Sequence, residues 1–144
     1  MLPEIKIKVS IEPSEKVYKI SSSAEAAELF KELFDKDQIQ WKEEVIMLCL
    51  NRQNHVLGYF KISSGGTTAS IVDAKVIFTI ALNCTASSII LAHNHPSGSL
   101  KPSEPDKAIT NKIKEAGKIL DIALLDHLII TSENFYSFAD EGLL

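Results

Sequence analysis

The sequence predicts a single α/β domain, and three observations carry that prediction. Strand-length apolar runs alternate along the chain with segments whose apolar residues recur at helical spacing. One of those runs, Ile122 to Ile130, is apolar on both faces, as a strand in the middle of a sheet must be. The chain has 144 residues, 45% hydrophobic and 24% charged, enough for one core that needs neither a disulfide nor a structural ion to fold.

From Met1 to Lys19, Ile5, Ile7, Val9 and Ile11 alternate with polar and charged residues between Pro3 and Pro13, which suits an edge strand or an attached arm. Ser22-Ser23-Ala24-Glu25 has capping-box spacing, and Ala26, Leu29, Phe30 and Leu33 then describe a surface helix reaching about Phe34. The polar stretch Asp35–Gln40 separates it from a strand over Glu44–Leu50. Asn51-Arg52-Gln53-Asn54 is turn chemistry leading into a second strand at about His55–Ile62, so the two form a hairpin. Ser63-Ser64-Gly65-Gly66 reads as a turn, Thr67–Val72 as a short extended piece, and Asp73 as the N-cap of a helix over Ala74–Leu82.

The run Ser88–Ala92 has the length and β-branched content of a buried strand, ended by Pro96-Ser97-Gly98. Ser103 can cap a helix from Glu104 to about Lys118, with Ile109, Ile113, Ala116 and Leu120 as its apolar stripe. Ser132–Phe138 closes the chain with aromatics that pack on the sheet. The expected organisation is an N-terminal arm and helix, residues 1–40, packed on a domain formed by residues 41–144.

Composition narrows the function. A net charge of −4 gives no electrostatic footprint for a nucleic-acid backbone, so DNA is a possible partner that charge does not support. Cys49 lies inside an apolar run and Cys84 just before another strand, neither with a second cysteine at metal or redox spacing, as expected of core thiols in a reducing cytoplasm. No apolar run approaches the ~18 residues of a membrane span, and no basic segment followed by an apolar one opens the chain. A cytoplasmic protein with no membrane partner is expected.

The chemistry is concentrated in His93-Asn94-His95-Pro96-Ser97-Gly98, followed by Ser103 and Asp106. In an extended chain alternate side chains share a face, so His93 and His95 point together while Asn94 points away. A lone histidine on an apolar strand is more often a satisfied core residue than a ligand, and Ser103-x-x-Asp106 by itself is an aspartate variant of a capping box. Two imidazoles and a carboxylate joined by a short Ser/Gly/Pro loop are nonetheless the ligand set of a zinc site that keeps its fourth position open for water. His55 belongs to the hairpin, and His127, beside Asp126, reads as a hydrogen-bonded structural residue.

Glu44, then His93-x-His95-Pro96, then Ser103-x-x-Asp106, resembles the JAMM metal motif of JAB/MPN-domain metallohydrolases, including the eleven-residue step from His95 to Asp106. Within that superfamily the wording from Leu91 to Gly98, through Pro102, Ser103 and Asp106 to Asp126-His127, is similar to the bacterial RadC-type branch. The resemblance runs from about Glu44 to the C-terminus. It implies a mixed β-sheet flanked by helices, distantly similar to cytidine deaminases, and a RadC-like JAB/MPN domain over residues 41–144.

By the same resemblance His93, His95 and Asp106 hold Zn2+, Glu44 is the catalytic acid/base, and Ser103 helps to stabilise the oxyanion. Glu43 competes for the first of these roles; Glu44 is preferred because it directly precedes the apolar run beginning at Val45. The implied activity is hydrolysis of a peptide or isopeptide bond in a peptide or protein substrate by metal-activated water. The rival reading is a non-catalytic RadC-like module in DNA repair or recombination that binds DNA or repair proteins. Residues 1–40 are too short and acidic for the helix-hairpin-helix segment of many RadC-type proteins. Asp73-Ala74-Lys75 stands where that branch has Pro-Arg-Glu, and a Pro-Cys-x-x-Cys deaminase element is absent.

Overall fold

A computed structural model describes residues 1–64 and 72–144; the turn expected at Ser63–Gly66 and the extended piece expected at Thr67–Val72 fall largely outside them. The described residues form α1 (Ser23–Leu33), β1 (Glu44–Leu50), β2 (Val56–Ser64), α2 (Ala74–Asn83), β3 (Ser88–Asn94), α3 (Glu104–Ile119), β4 (Ala123–Ile130) and β5 (Phe135–Ser137). The strands make one sheet in the order β2-β1-β3-β4-β5. It is mixed: β3 and β4 are parallel, and the other neighbours are antiparallel. This is the mixed β-sheet flanked by helices that the resemblance implies.

Helices cover both faces of the sheet. On one, Val45, Met47, Cys49, Ile89 and Leu91 pack with Ile77, Phe78 and Ala81 of α2 and Ile113 of α3. On the other, Ile46, Leu48, Leu50, Ile90, Ala92, Leu128 and Ile130 pack with Ala26, Ala27 and Phe30 of α1 and with Phe34. Every residue of β1 and β3 is therefore buried, which is why both strands read as unbroken apolar runs rather than as an alternation. α1 belongs to this core: Phe30 is fully buried, and burying such a ring is worth roughly 1.5–3 kcal/mol. Before it, residues 1–18 lie outside any helix or strand, and a single bridge joins Lys19 to His55.

The crossover β3-α3-β4 joins parallel strands, so α3 must start where β3 ends. Gly117 lets it return closely. A Cβ there would lie 2.2 Å from the Ile122 carbonyl oxygen, which only glycine avoids. β5 adds to the far edge, and Phe138 just beyond it is buried against His127. Both cysteines are free thiols; burial first, then the neighbouring Cys84, pushes the Cys49 thiol up to about 12, so it stays protonated. No helix among the described residues is long and apolar enough to cross a membrane.

Candidate metal centre

β3 delivers His93 as its penultimate residue, on the α2/α3 face. His95 follows one step beyond the strand, still paired through its backbone N–H to the Ile130 carbonyl (3.3 Å), so the alternation carries both rings to the same side. The chain then turns sharply, with Gly98 at φ +82° and its N–H bonded to the His95 carbonyl (3.0 Å). α3 begins at the N-cap Ser103, whose Oγ accepts from the Asp106 N–H (3.1 Å) while Asp106 Oδ2 accepts from the Ser103 N–H (2.8 Å). The capping box expected from the spacing is present, and it holds the Asp106 carboxylate beside the histidines.

The distances are those of a site. His93 Nε2 and His95 Nε2 are 2.9 Å apart, Asp106 Oδ2 is 3.2 Å from His95 Nε2, and Asp106 Oδ1 is 3.4 Å from His93 Nε2. Ligands at ~2.0–2.2 Å from a tetrahedral ion are about 3.4 Å from each other, so these atoms need little movement to share one. Glu43 joins them: one atom from each of Glu43, His93, His95 and Asp106 can be chosen so that all lie within 4.8 Å of one another.

Hydrogen-bond accounting says what the group lacks. His95 Nδ1 is 2.8 Å from the Ser99 carbonyl oxygen, which can only accept, so Nδ1 carries the ring hydrogen and a neutral His95 turns a bare Nε2 toward Asp106. Two acceptors facing at 3.2 Å repel unless a cation stands between them. A proton can meet that need. The hydrogen bond to Asp106 is the largest cause raising the His95 pKa, against the opposing effect of burial and with help from the Ser99 carbonyl and the charges of Asp106 and Glu43. Burial would raise Asp106, but the His93 and His95 rings beside it, with the Ser103 N–H, outweigh that and hold its carboxyl far below the usual range. A metal ion meets the same need with more donors.

Glu44, expected as the acid/base, is not part of this group. β1 pairs Val45 with His93, so Glu43 and Val45 share the histidine face while Glu44 sits opposite Asn94 on the α1 face. There its buried carboxylate lies 3.8 Å from Lys61 Nζ, and its backbone N–H donates to Asn94 Oδ1 (2.7 Å). One residue of strand parity puts the two glutamates on opposite faces.

Two residues that the sequence reading left outside the site shape it. Asn94 is fully buried, and besides accepting from Glu44 its Nδ2 donates to the carbonyls of Ile39 (2.8 Å) and Lys42 (2.7 Å), so one amide pins the segment that carries Glu43. His127, buried in β4 and stacked on Phe138 at 4.8 Å and 13°, places Nε2 2.7 Å from His93 Nδ1. It is hydrogen-bonded, as its neighbour Asp126 suggested, and burial lowers its pKa so that it stays neutral. His55 lies in the hairpin, bridged to Lys19.

Comparison with known proteins agrees with this architecture. A UPF0758 protein of Flavobacterium johnsoniae is 45% identical over 89% of this chain and 55% of its own length. The UPF0758 protein YfjY of Escherichia coli is 41% identical over 72% of this chain and 64% of its own, and a Chlorobaculum parvum UPF0758 protein is 39% identical over 83% and 54%. The chain thus spans little more than half the length of such relatives. A family model described as the RadC-like JAB domain matches residues 20–143, which takes in α1 as well as the sheet, and the chain belongs to that family.

Proposed function

We propose that this domain is a zinc-dependent hydrolase of peptide or isopeptide bonds, with His93, His95 and Asp106 as ligands and Glu43, rather than Glu44, as the proton acceptor. The observation that carries the reading is the convergence of Glu43, His93, His95 and Asp106, with the His95 Nε2 and Asp106 acceptors turned toward one another. Three protein ligands of nitrogen and oxygen type leave a fourth position for water. A divalent ion held there supplies Lewis acidity, bringing the pKa of water toward about 7 and polarising a carbonyl.

The chain's own groups do the rest. Glu43 takes the proton of the attacking water and returns it to the leaving amine. Ser103 uses an Oγ lone pair for the cap and keeps its hydroxyl proton, which donates to the oxyanion that develops on the substrate carbonyl. The turn His95–Gly98 and the start of α3 fix this hydroxyl relative to the ligands.

Elemental analysis of the purified protein should find about one zinc per chain. After a screen of small peptides and isopeptide-linked substrates, Glu43→Gln should keep that zinc and lose at least ~10²-fold in hydrolysis, while Glu44→Gln hydrolyses like the wild type. Zinc lost from Glu43→Gln would make Glu43 a ligand instead. Equal activity of Glu43→Gln and wild type would end its assignment as the base.

A further inference from the structure

The groups behind His93 form a chain with a readable direction. Thr110, on α3 and 1% exposed, places its Oγ1 2.7 Å from the backbone carbonyl oxygen of Asp106, one turn earlier. That oxygen can only accept, so the bond takes the single hydroxyl proton. The same Oγ1 lies 2.6 Å from His127 Nδ1, toward which it now turns a lone pair. Nδ1 must therefore carry the His127 hydrogen. A ring only 2% exposed and packed on Phe138 is neutral and has one N–H, so His127 Nε2 is bare. At 2.7 Å from it, His93 Nδ1 has to be the donor.

We propose that Thr110 and His127 are positioning residues that fix His93 as the tautomer protonated on Nδ1, so that its bare Nε2 faces His95 and Asp106 ready for a metal ion. The proposal rests on the reading of that group as a metal site. The opposite order would put hydrogen on His93 Nε2, 3.4 Å from Asp106 Oδ1, and close the ligand position with an ordinary His–Asp hydrogen bond. Reaching it requires the Thr110 hydroxyl to abandon the Asp106 carbonyl. One helical carbonyl thus sets three hydrogens in sequence, and the chain closes on itself: Asp106 anchors it with its backbone and meets its far end with its side chain. The hydrogen bond behind the ring also makes Nε2 a better donor to metal and limits the ring's rotation.

The test begins with the metal-free protein, whose four histidines are few enough to assign by ¹⁵N NMR with long-range couplings that distinguish the tautomers. His93 and His127 should both carry hydrogen on Nδ1. Thr110→Val, which keeps the shape and removes the hydroxyl, should move His93 toward the Nε2–H form; His127→Leu, which removes the acceptor, should do so more completely. His127→Gln, whose amide oxygen can stand near the Nε2 position, should restore the wild-type pattern.

Competition with a chelator for Zn2+ should follow the same order. Thr110→Val and His127→Leu should lose about 10–100-fold in affinity, and His127→Gln should recover most of it. Hydrogen on His93 Nε2 in the wild type overturns the proposal, as does undiminished zinc affinity in both Thr110→Val and His127→Leu. A wild-type protein that binds no zinc overturns the metal reading instead, while the tautomer pattern still decides whether the chain is ordered as stated.

Discussion

Two adjacent residues at the end of β3, His93 and Asn94, open onto opposite faces of the sheet, and the polar groups around them are built on opposite principles. On the α1 face the Asn94 amide meets two carbonyls with its hydrogens and one N–H with its oxygen, so donors and acceptors balance. On the other face His95 Nε2 and the Asp106 carboxylate are acceptors aimed at one another, the ring held by its Nδ1–H bond to the Ser99 carbonyl and the carboxylate by the Ser103 N–H. The Asn94 amide is satisfied without anything added. The facing acceptors are satisfied only by a cation. A buried polar cluster is thus diagnosed as structural or as binding by whether its own atoms satisfy it, and the two outcomes sit back to back across one strand.

The largest expected effect breaks the comparison on the open side. His95→Ala removes one of the facing acceptors, so zinc affinity should fall by more than the ~100-fold that loss of a supporting contact produces. The metal-free protein should lose no more than the ~1 kcal/mol of the bond from His95 Nδ1–H to the Ser99 carbonyl, because deleting the repulsion with Asp106 offsets it. Calorimetry and chelator competition on the same preparation measure both. A large drop in the melting temperature of metal-free His95→Ala would mean that the cluster is a structural network after all.

On the closed side the expectation reverses. Asn94→Ala removes three hydrogen bonds and leaves the Glu44 N–H and the Ile39 and Lys42 carbonyls without the amide that joins them. At ~1 kcal/mol for each bond, the loss is about 3 kcal/mol, or roughly 6–12 °C in Tm for a domain of this size. Zinc should still bind, since no ligand has been removed. Hydrolysis should suffer, because the segment that carries Glu43 has lost its anchor. Denaturant unfolding gives the stability, and unchanged stability would show that solvent replaces the amide at this site.

How much of this was legible follows from what each face presents to the sequence. The elements were: β1 over Glu44–Leu50, the helices near Ser23, Ala74 and Glu104, and the capping box at Ser103 all follow from apolar spacing and cap residues. His93, His95 and Asp106 were legible because the first two share a strand parity and the third is tied to a helix start a short loop away. The choice between Glu43 and Glu44 was not. With helices on both faces, β1 has no polar alternation, so nothing in Glu43-Glu44-Val45-Ile46 marks which parity faces the histidines. Only the pairing of Val45 with His93 decides it. Thr110 and His127 were hidden for a related reason, since their meaning depends on α3 lying across β4, and the sequence separates them by a helix and a turn.

The smallest effect compares the two buried carboxylates. Asp106 is held ionised by the histidines it faces; Asp126 is closed in by neutral donors, with Oδ1 accepting from the N–H of His127 (2.7 Å) and Ala139 (3.0 Å) and Oδ2 from Ser137 Oγ (2.6 Å). Burial raises the Asp126 pKa, and the charge of Asp140 adds to that, while the three hydrogen bonds only partly oppose it. The two carboxyls are displaced in opposite directions. Because the Asp126 pKa is higher in the folded protein than in the unfolded chain, the native state binds its proton more tightly; this contribution is fully present below about 3.9 and is lost as pH rises through the folded value. In Asp126→Asn the side-chain oxygen keeps both N–H partners and the amide faces Ser137, so the packing survives and the titration disappears. Urea unfolding of both proteins from acid to neutral pH should therefore show the variant gaining on the wild type as pH rises, with the difference level once Asp126 is ionised in both states. A wild type that gains on the variant as pH rises would mean that the hydrogen bonds outweigh burial and that Asp126, like Asp106, is held as an anion.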